Sequence, residues 1–104
     1  EGIHDKFVAR FKERAAQNKL GDPFAADTFQ GPQVSQLQFE RIMDYIKHGK
    51  QEGATIATGG ERHGDKGYFI QPTLFTDVTQ NMKIAQEEIF GPVVTVQKFK
   101  DIDD

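Results

Sequence analysis

The chain contains no cysteine and no tryptophan. Without cysteine it makes no disulfide, and it supplies no thiolate as a nucleophile or metal ligand. Nor does basic charge dominate: 13 Lys and Arg stand against 16 Asp and Glu, a net charge of −3, with both signs mixed along the chain. That excludes the basic stripe through which proteins hold nucleic acid. No apolar run approaches the ~20 residues of a membrane-spanning helix, and no stretch has the pattern of a secretory signal. Internal repeats and low-complexity tracts are missing as well. What is present fits one domain at most: 104 residues, 37% of them hydrophobic, with nine Phe carrying much of the apolar area. A core is feasible but modest at this length. Glu1 in place of an initiator Met makes an excised or processed piece the expectation.

Apolar periodicity predicts a helix over residues 3–17, where Ile3, Phe7, Val8, Phe11 and Ala15 share one face and Arg10, Lys12, Glu13 and Arg14 cover the rest. Gly21 suits its C-cap. His4 reads as a solvated first-turn residue, because no second ligand lies one turn on. Residues 21–32 are rich in turn formers, with Phe24 and Phe29 placed to anchor the connection on the core. Ser35 opens the next helix, and with Gln38 it forms an S-x-x-Q capping box. Leu37, Ile42, Tyr45 and Ile46, with Phe39 and Met43 beside them, give that helix a broad apolar face, and Lys47 and His48 suit its C-terminal dipole.

Residues 54–58 alternate as a short strand between Gly53 and Gly59-Gly60. The polar loop 60–67 lacks G-K-[ST] and a following helix, so it is no phosphate cradle. An extended segment would put Glu61, His63 and Asp65 on one face as metal ligands, but a hairpin loop is the better fit. Residues 67–76 read as a strand in which Pro72, lacking a donor, marks an edge position or a break. Residues 77–81 turn the chain, and Thr79 or Asn81 can cap a single helical turn over 82–86. Beyond Gly91-Pro92, residues 93–96 are all β-branched, as in a parallel strand buried on both faces. The order of elements is that of an α/β fold.

The stretch from Met82 to Val94 organises the rest. Within it, Glu87-Glu88-Ile89-Phe90-Gly91-Pro92-Val93 resembles the E-E-I-F-G-P-V signature of the NAD(P)-dependent aldehyde dehydrogenases. Glu1 to Phe7 resembles the family's V-x-E-G-I-x-D-x-F stretch, Gly31-Pro32-Gln33-Val34 its G-P-x-V, and Gly67 to Thr73 its G-x-[FY]-x-x-P-T. The resemblance covers nearly the whole chain in the family's order, and is nearest to filamentous-fungal cytosolic members, some known as allergens. It implies a piece of the catalytic domain, incomplete at both ends, in a twisted, mostly parallel sheet flanked by helices. It also implies an enzyme that oxidises aldehydes to carboxylic acids. The family's nucleophilic cysteine would lie just upstream of Glu1, so this chain carries no catalytic residue. By resemblance Glu88 holds the nicotinamide ribose, Phe90 lies beside the nicotinamide end, and Gln38 and the basic Arg41 lie near the ribose. The cofactor implied is NAD, with NADP as the alternative. The partners implied are an aldehyde substrate and further copies of the parent in a cytoplasmic homo-oligomer.

Plainer readings stand beside these. The Glu pair suits a solvated loop, Phe90 an ordinary core position, and Gln38 its capping box. The isolated piece also suits a non-catalytic binding or antigenic module, or a regulatory single-domain protein that borrowed the fold.

Overall fold

A computed structural model describes residues 1–104. The elements follow as α1 (His4–Ala16), α2 (Gln36–Gln51), β1 (Thr55–Thr58), β2 (Thr73–Thr76), α3 (Lys83–Gln86) and β3 (Val93–Thr95). The α/β class stands, and the sheet in it is mixed rather than mostly parallel. Its order is β1-β2-β3, with β1 antiparallel to β2 and β2 parallel to β3. Connectivity explains both directions. Between β1 and β2 the chain reverses in a hairpin excursion tied across by the Arg62↔Ile70 bridge, whereas β2 reaches β3 through the crossover that contains α3.

Helix α2 starts as its capping chemistry requires. Ser35 is extended, and its Oγ accepts from the Gln38 backbone N–H at 3.2 Å. One face of α2 seats on the sheet, with Ile42 and Ile46 at 0% and 1% exposure. Around them Ala54, Ile70, Phe75, Val78, Met82, Ile84 and Ile89 complete the core. Each such large apolar side chain contributes about 1.5–3 kcal/mol on burial. Gly49 lets the helix come this close: a Cβ there would sit 2.9 Å from the Phe75 ring and 3.0 Å from Ile84 Cδ1. Leu37, expected on the apolar face, is instead exposed near the helix start.

β2 is the central strand, buried throughout, so Pro72 marks a break and not an edge. The ladder begins one residue later, where Thr73 N–H donates to the Pro92 carbonyl at 2.8 Å. The buried Thr73 hydroxyl accepts from Gly60 N–H and donates to the Gln71 carbonyl, both at 2.8 Å. β3 departs from the expected two-sided burial. It is one of the two edge strands, with Val93 and Thr95 half-buried and Val94 43% exposed. No second layer of this chain covers its outer face.

The same lack of partners governs the N-terminal third. Ile3 and Phe7 of the α1 face remain 73% and 50% exposed, and only Ala15 is buried. The helix ends at Gln17 in right-handed conformation, not at Gly21. Gly21 N–H instead donates to the Gln30 carbonyl, beside the Leu20↔Gln30 bridge. Phe24 and Phe29 are exposed rather than anchoring the connection on the core. His4 is less solvated than its position suggests: its side chain is 12% exposed and Nδ1 lies 2.8 Å from Asp5 Oδ1. That bond, with help from Lys98, holds the Asp5 carboxyl below the usual carboxylate range.

The turn after β1 supplies a test of this packing. Gly59 has φ +75°, and a Cβ there would overlap the Pro72 carbonyl oxygen. Gly64, at φ +71°, faces open space. Gly64→Ala is expected to lose only the left-handed penalty of about 1–2 kcal/mol. Gly59→Ala should lose that and about 1–3 kcal/mol more, because backbone must move to admit the methyl group. Urea unfolding of both variants measures the gap, and equal losses would show that the Gly59–Pro72 contact is loose.

Candidate functional site

The site residues are set out by how the chain leaves α3. Glu87 is extended, with φ −113° and ψ 145°, and burial separates the residues that follow. The Tyr45 hydroxyl donates to Glu87 Oε1 at 3.4 Å, turning that carboxylate toward α2. Glu88 then faces outward, exposed, and its carboxylate takes part in no hydrogen bond or ion pair. Ile89 turns inward at 9% exposure and joins the core. Phe90 turns outward again, 69% exposed. The result is an acid and an aromatic ring on one side of a segment whose other side is fastened to the core.

Phe90 also carries φ +58°, a left-handed conformation that a bulky residue seldom adopts. The corner continues through Gly91, where a Cβ would lie 2.5 Å from Ile42 Cδ1. Val93 N–H donates to the Gly91 carbonyl at 2.8 Å, closing a three-residue turn across Pro92. Gln38 meets this corner from α2: its Nε2 donates to the Phe90 carbonyl oxygen at 2.5 Å. The capping box is thus only half formed. Ser35 caps the Gln38 backbone, while the Gln38 side chain reaches the corner instead of returning to Ser35.

Of the four residues singled out from sequence, Gln38 and Phe90 come into contact and Glu88 shares the exposed side of the same segment. Arg41 lies three residues after Gln38 on α2, exposed and making no ion pair with Glu88. Sequence reading missed the roles of Tyr45, which holds the neighbouring acid, and Ile42, which forms the floor under Gly91. Tyr45 was assigned to an apolar face, and only its hydroxyl hinted at a polar partner.

Other parts of the molecule do not join this corner. Loop 60–67 is a hairpin end, held by Arg62 Nη2 donating to the carbonyls of Asp65 and Gly67 at 3.1 and 2.8 Å. Glu61, His63 and Asp65 do not converge as a ligand set, and the His63 ring stands edge-on to Phe69 at 6.2 Å. A cavity of about 520 Å³ lies between the end of α1 and the hairpin, beside Lys19, Thr58, His63 and Gln71. Near it, Lys19 hydrogen-bonds Asp27 and holds that carboxyl below its usual range.

Comparison with known proteins shows the family of the chain. The sequence model of the aldehyde dehydrogenase family matches residues 1–104. The chain belongs to the aldehyde dehydrogenase family. An aldehyde dehydrogenase of Aspergillus niger is 80% identical to it over 104 residues, 100% of this chain and 21% of that protein. One of Emericella nidulans is 80% identical over 101 residues, 97% of this chain and 20% of that protein. Among solved structures, the NAD+ complex of an aldehyde dehydrogenase from Bacillus cereus superposes with a TM-score of 0.97 at 48% identity, over 99% of this chain and 21% of that one. The chain therefore spans about a fifth of the length of the curated relatives it matches.

A left-handed Phe on the surface is a conformation kept at the expense of local stability. Asn tolerates the left-handed region far better, and little burial is lost with a ring that is 69% exposed. Phe90→Asn is expected to raise stability by about 0.5–1 kcal/mol while removing the ring from the exposed side. Thermal unfolding measures it, and a clear loss of stability would mean that the ring packs more closely than its exposure shows.

Proposed function

We propose that this chain is the nicotinamide-facing segment of an enzyme that oxidises aldehydes to carboxylic acids with NAD, NADP being the alternative cofactor. The observation that carries the reading is Glu88: an exposed carboxylate with no partner in the chain, on a segment held on both sides by Glu87–Tyr45 and buried Ile89. Its free oxygens suit a vicinal diol, accepting from both ribose hydroxyls in charge-assisted bonds. The exposed face of Phe90 suits a flat heterocycle, whose motion it limits by contact. Family membership and the NAD+ complex of the Bacillus cereus relative support the same assignment. NAD, when bound, supplies the hydride acceptor.

The residues of this chain orient and do not attack, since none of them is a cysteine. The nucleophile and the remaining substrate contacts belong, on this reading, to other parts of a longer catalytic domain. Uncovered apolar side chains such as Ile3, Phe7 and Val94 are where those parts would pack. The same reading makes the parent a cytoplasmic homo-oligomer. No helix here is long and apolar enough to cross a membrane.

Incubated alone with NAD+ and a simple aldehyde, the 104-residue chain is expected to form no reduced cofactor. Steady turnover above a buffer blank, followed by absorbance, would contradict the division of labour just described.

In a full-length enzyme carrying this segment, Glu88→Gln keeps the shape of the side chain but removes its charge and one acceptor. Hydrogen bonds to charged groups contribute about 1.5–3 kcal/mol each, so a loss of about 1–3 kcal/mol is expected. That slows hydride transfer about 5- to 150-fold. Cofactor affinity falls less, because the adenine half binds outside this segment. Glu87→Gln is the control and changes little, its carboxylate being turned toward Tyr45. Single-turnover kinetics on both variants decides: damage at Glu87 with silence at Glu88 refutes the assignment.

A further inference from the structure

Gln38 has a task that neither helix capping nor cofactor contact describes. Its side-chain amide donates to the carbonyl oxygen of Phe90, fifty-two positions away in sequence, at 2.5 Å. Phe90 is one of only two non-glycine residues with positive φ, and the other, Asp77, is of a type that tolerates that region. One turn after Gln38, Ile42 of the same helix forms the floor on which Gly91 rests. Ser35 satisfies the first turn of α2 through the Gln38 backbone, which leaves the side chain free to reach outward. The strained corner is therefore gripped at two successive points by one rigid element: a donor on the Phe90 carbonyl and an apolar floor under the next residue. Without the donor, nothing else in the chain bonds that carbonyl, and Phe90 is free to turn about its N–Cα bond toward the ordinary φ of a bulky residue.

We propose that Gln38 is a positioning residue that acts through Phe90: its amide donor locks the left-handed Phe90 backbone and so aims the ring and the neighbouring Glu88 outward. This deepens the proposed function and rests on it for the catalytic consequence, though not for the conformational one. The role needs a donor at the end of a long side chain. Gln38→Glu keeps the length and offers only acceptors, Gln38→Met removes the donor without adding charge, and Gln38→Lys keeps a donor while removing the acceptor.

The test uses a full-length enzyme carrying this segment, with the crystal structure of each cofactor-free variant and single-turnover hydride transfer with NAD+. In Gln38→Glu and Gln38→Met, Phe90 is expected to leave positive φ. Hydride transfer should slow about 10- to 100-fold, as for a misplaced reacting group, with NAD+ affinity changed less than about twofold. Gln38→Lys should keep the left-handed Phe90 and most of the rate. Phe90 remaining left-handed in both Gln38→Glu and Gln38→Met would overturn the proposal. So would a Gln38→Glu enzyme at full rate beside a damaged Gln38→Lys enzyme, which would make Gln38 an acceptor toward bound ligand. If Phe90 follows the donor but Glu88→Gln is silent, the locking role stands and the functional assignment fails.

Discussion

Everything near the corner depends on how closely α2 lies against the sheet. That distance is set by a missing side chain: at Gly49 the Phe75 ring occupies the space a Cβ would take. With the helix seated there, Ile42 and Ile46 are sealed and α2 runs alongside residues 87–91. Tyr45, Ile42 and Gln38 then fall in register with Glu87, Gly91 and Phe90. A helix held farther out would leave the hydroxyl, the floor and the amide all short of their partners. The precision of an exposed surface feature thus originates in a buried contact about three turns along the same face of the helix.

What could be read from sequence was whatever local chemistry decides. Ser35 begins α2 because a hydroxyl must meet an orphan N–H, and that needs no knowledge of the fold. The hairpin nature of loop 60–67 followed from its glycines. The mixed sheet was not legible, because strand direction is settled by pairings between distant segments. For the same reason Gln38 was assigned to a capping box: its actual partner lies far along the chain and leaves no local mark. The left-handed Phe90 also gives no warning, since residue type argues against it. The expectations for Phe7, Phe24 and Phe29 failed in one direction, each assuming a covering surface that these residues do not themselves build.

The distribution of apolar exposure sorts the chain into two regions. Between Gln36 and Thr95 the helix α2, the sheet and α3 make a closed core of their own. Residues before Gln36 make few such commitments: Ile3, which precedes α1, and Phe7 within it stay exposed, and only Ala15 is buried. The corner with Glu88 and Phe90 lies wholly in the first of these regions, next to its best-packed helix.

Thr73 shows how a strand can be pinned along its length. Its hydroxyl is used in both capacities, accepting from Gly60 and donating to Gln71, inside a fully buried strand. Valine would match its shape and its strand preference but orphan the Gly60 N–H, and serine would keep both bonds but lose the methyl group. Sliding β2 by one residue would send the hydroxyl to the opposite face and put Leu74 where Gly60 needs an oxygen. The sheet therefore carries a register lock at its centre, in which a single polar atom makes the correct alignment of β2 the only one that leaves no buried donor unmatched.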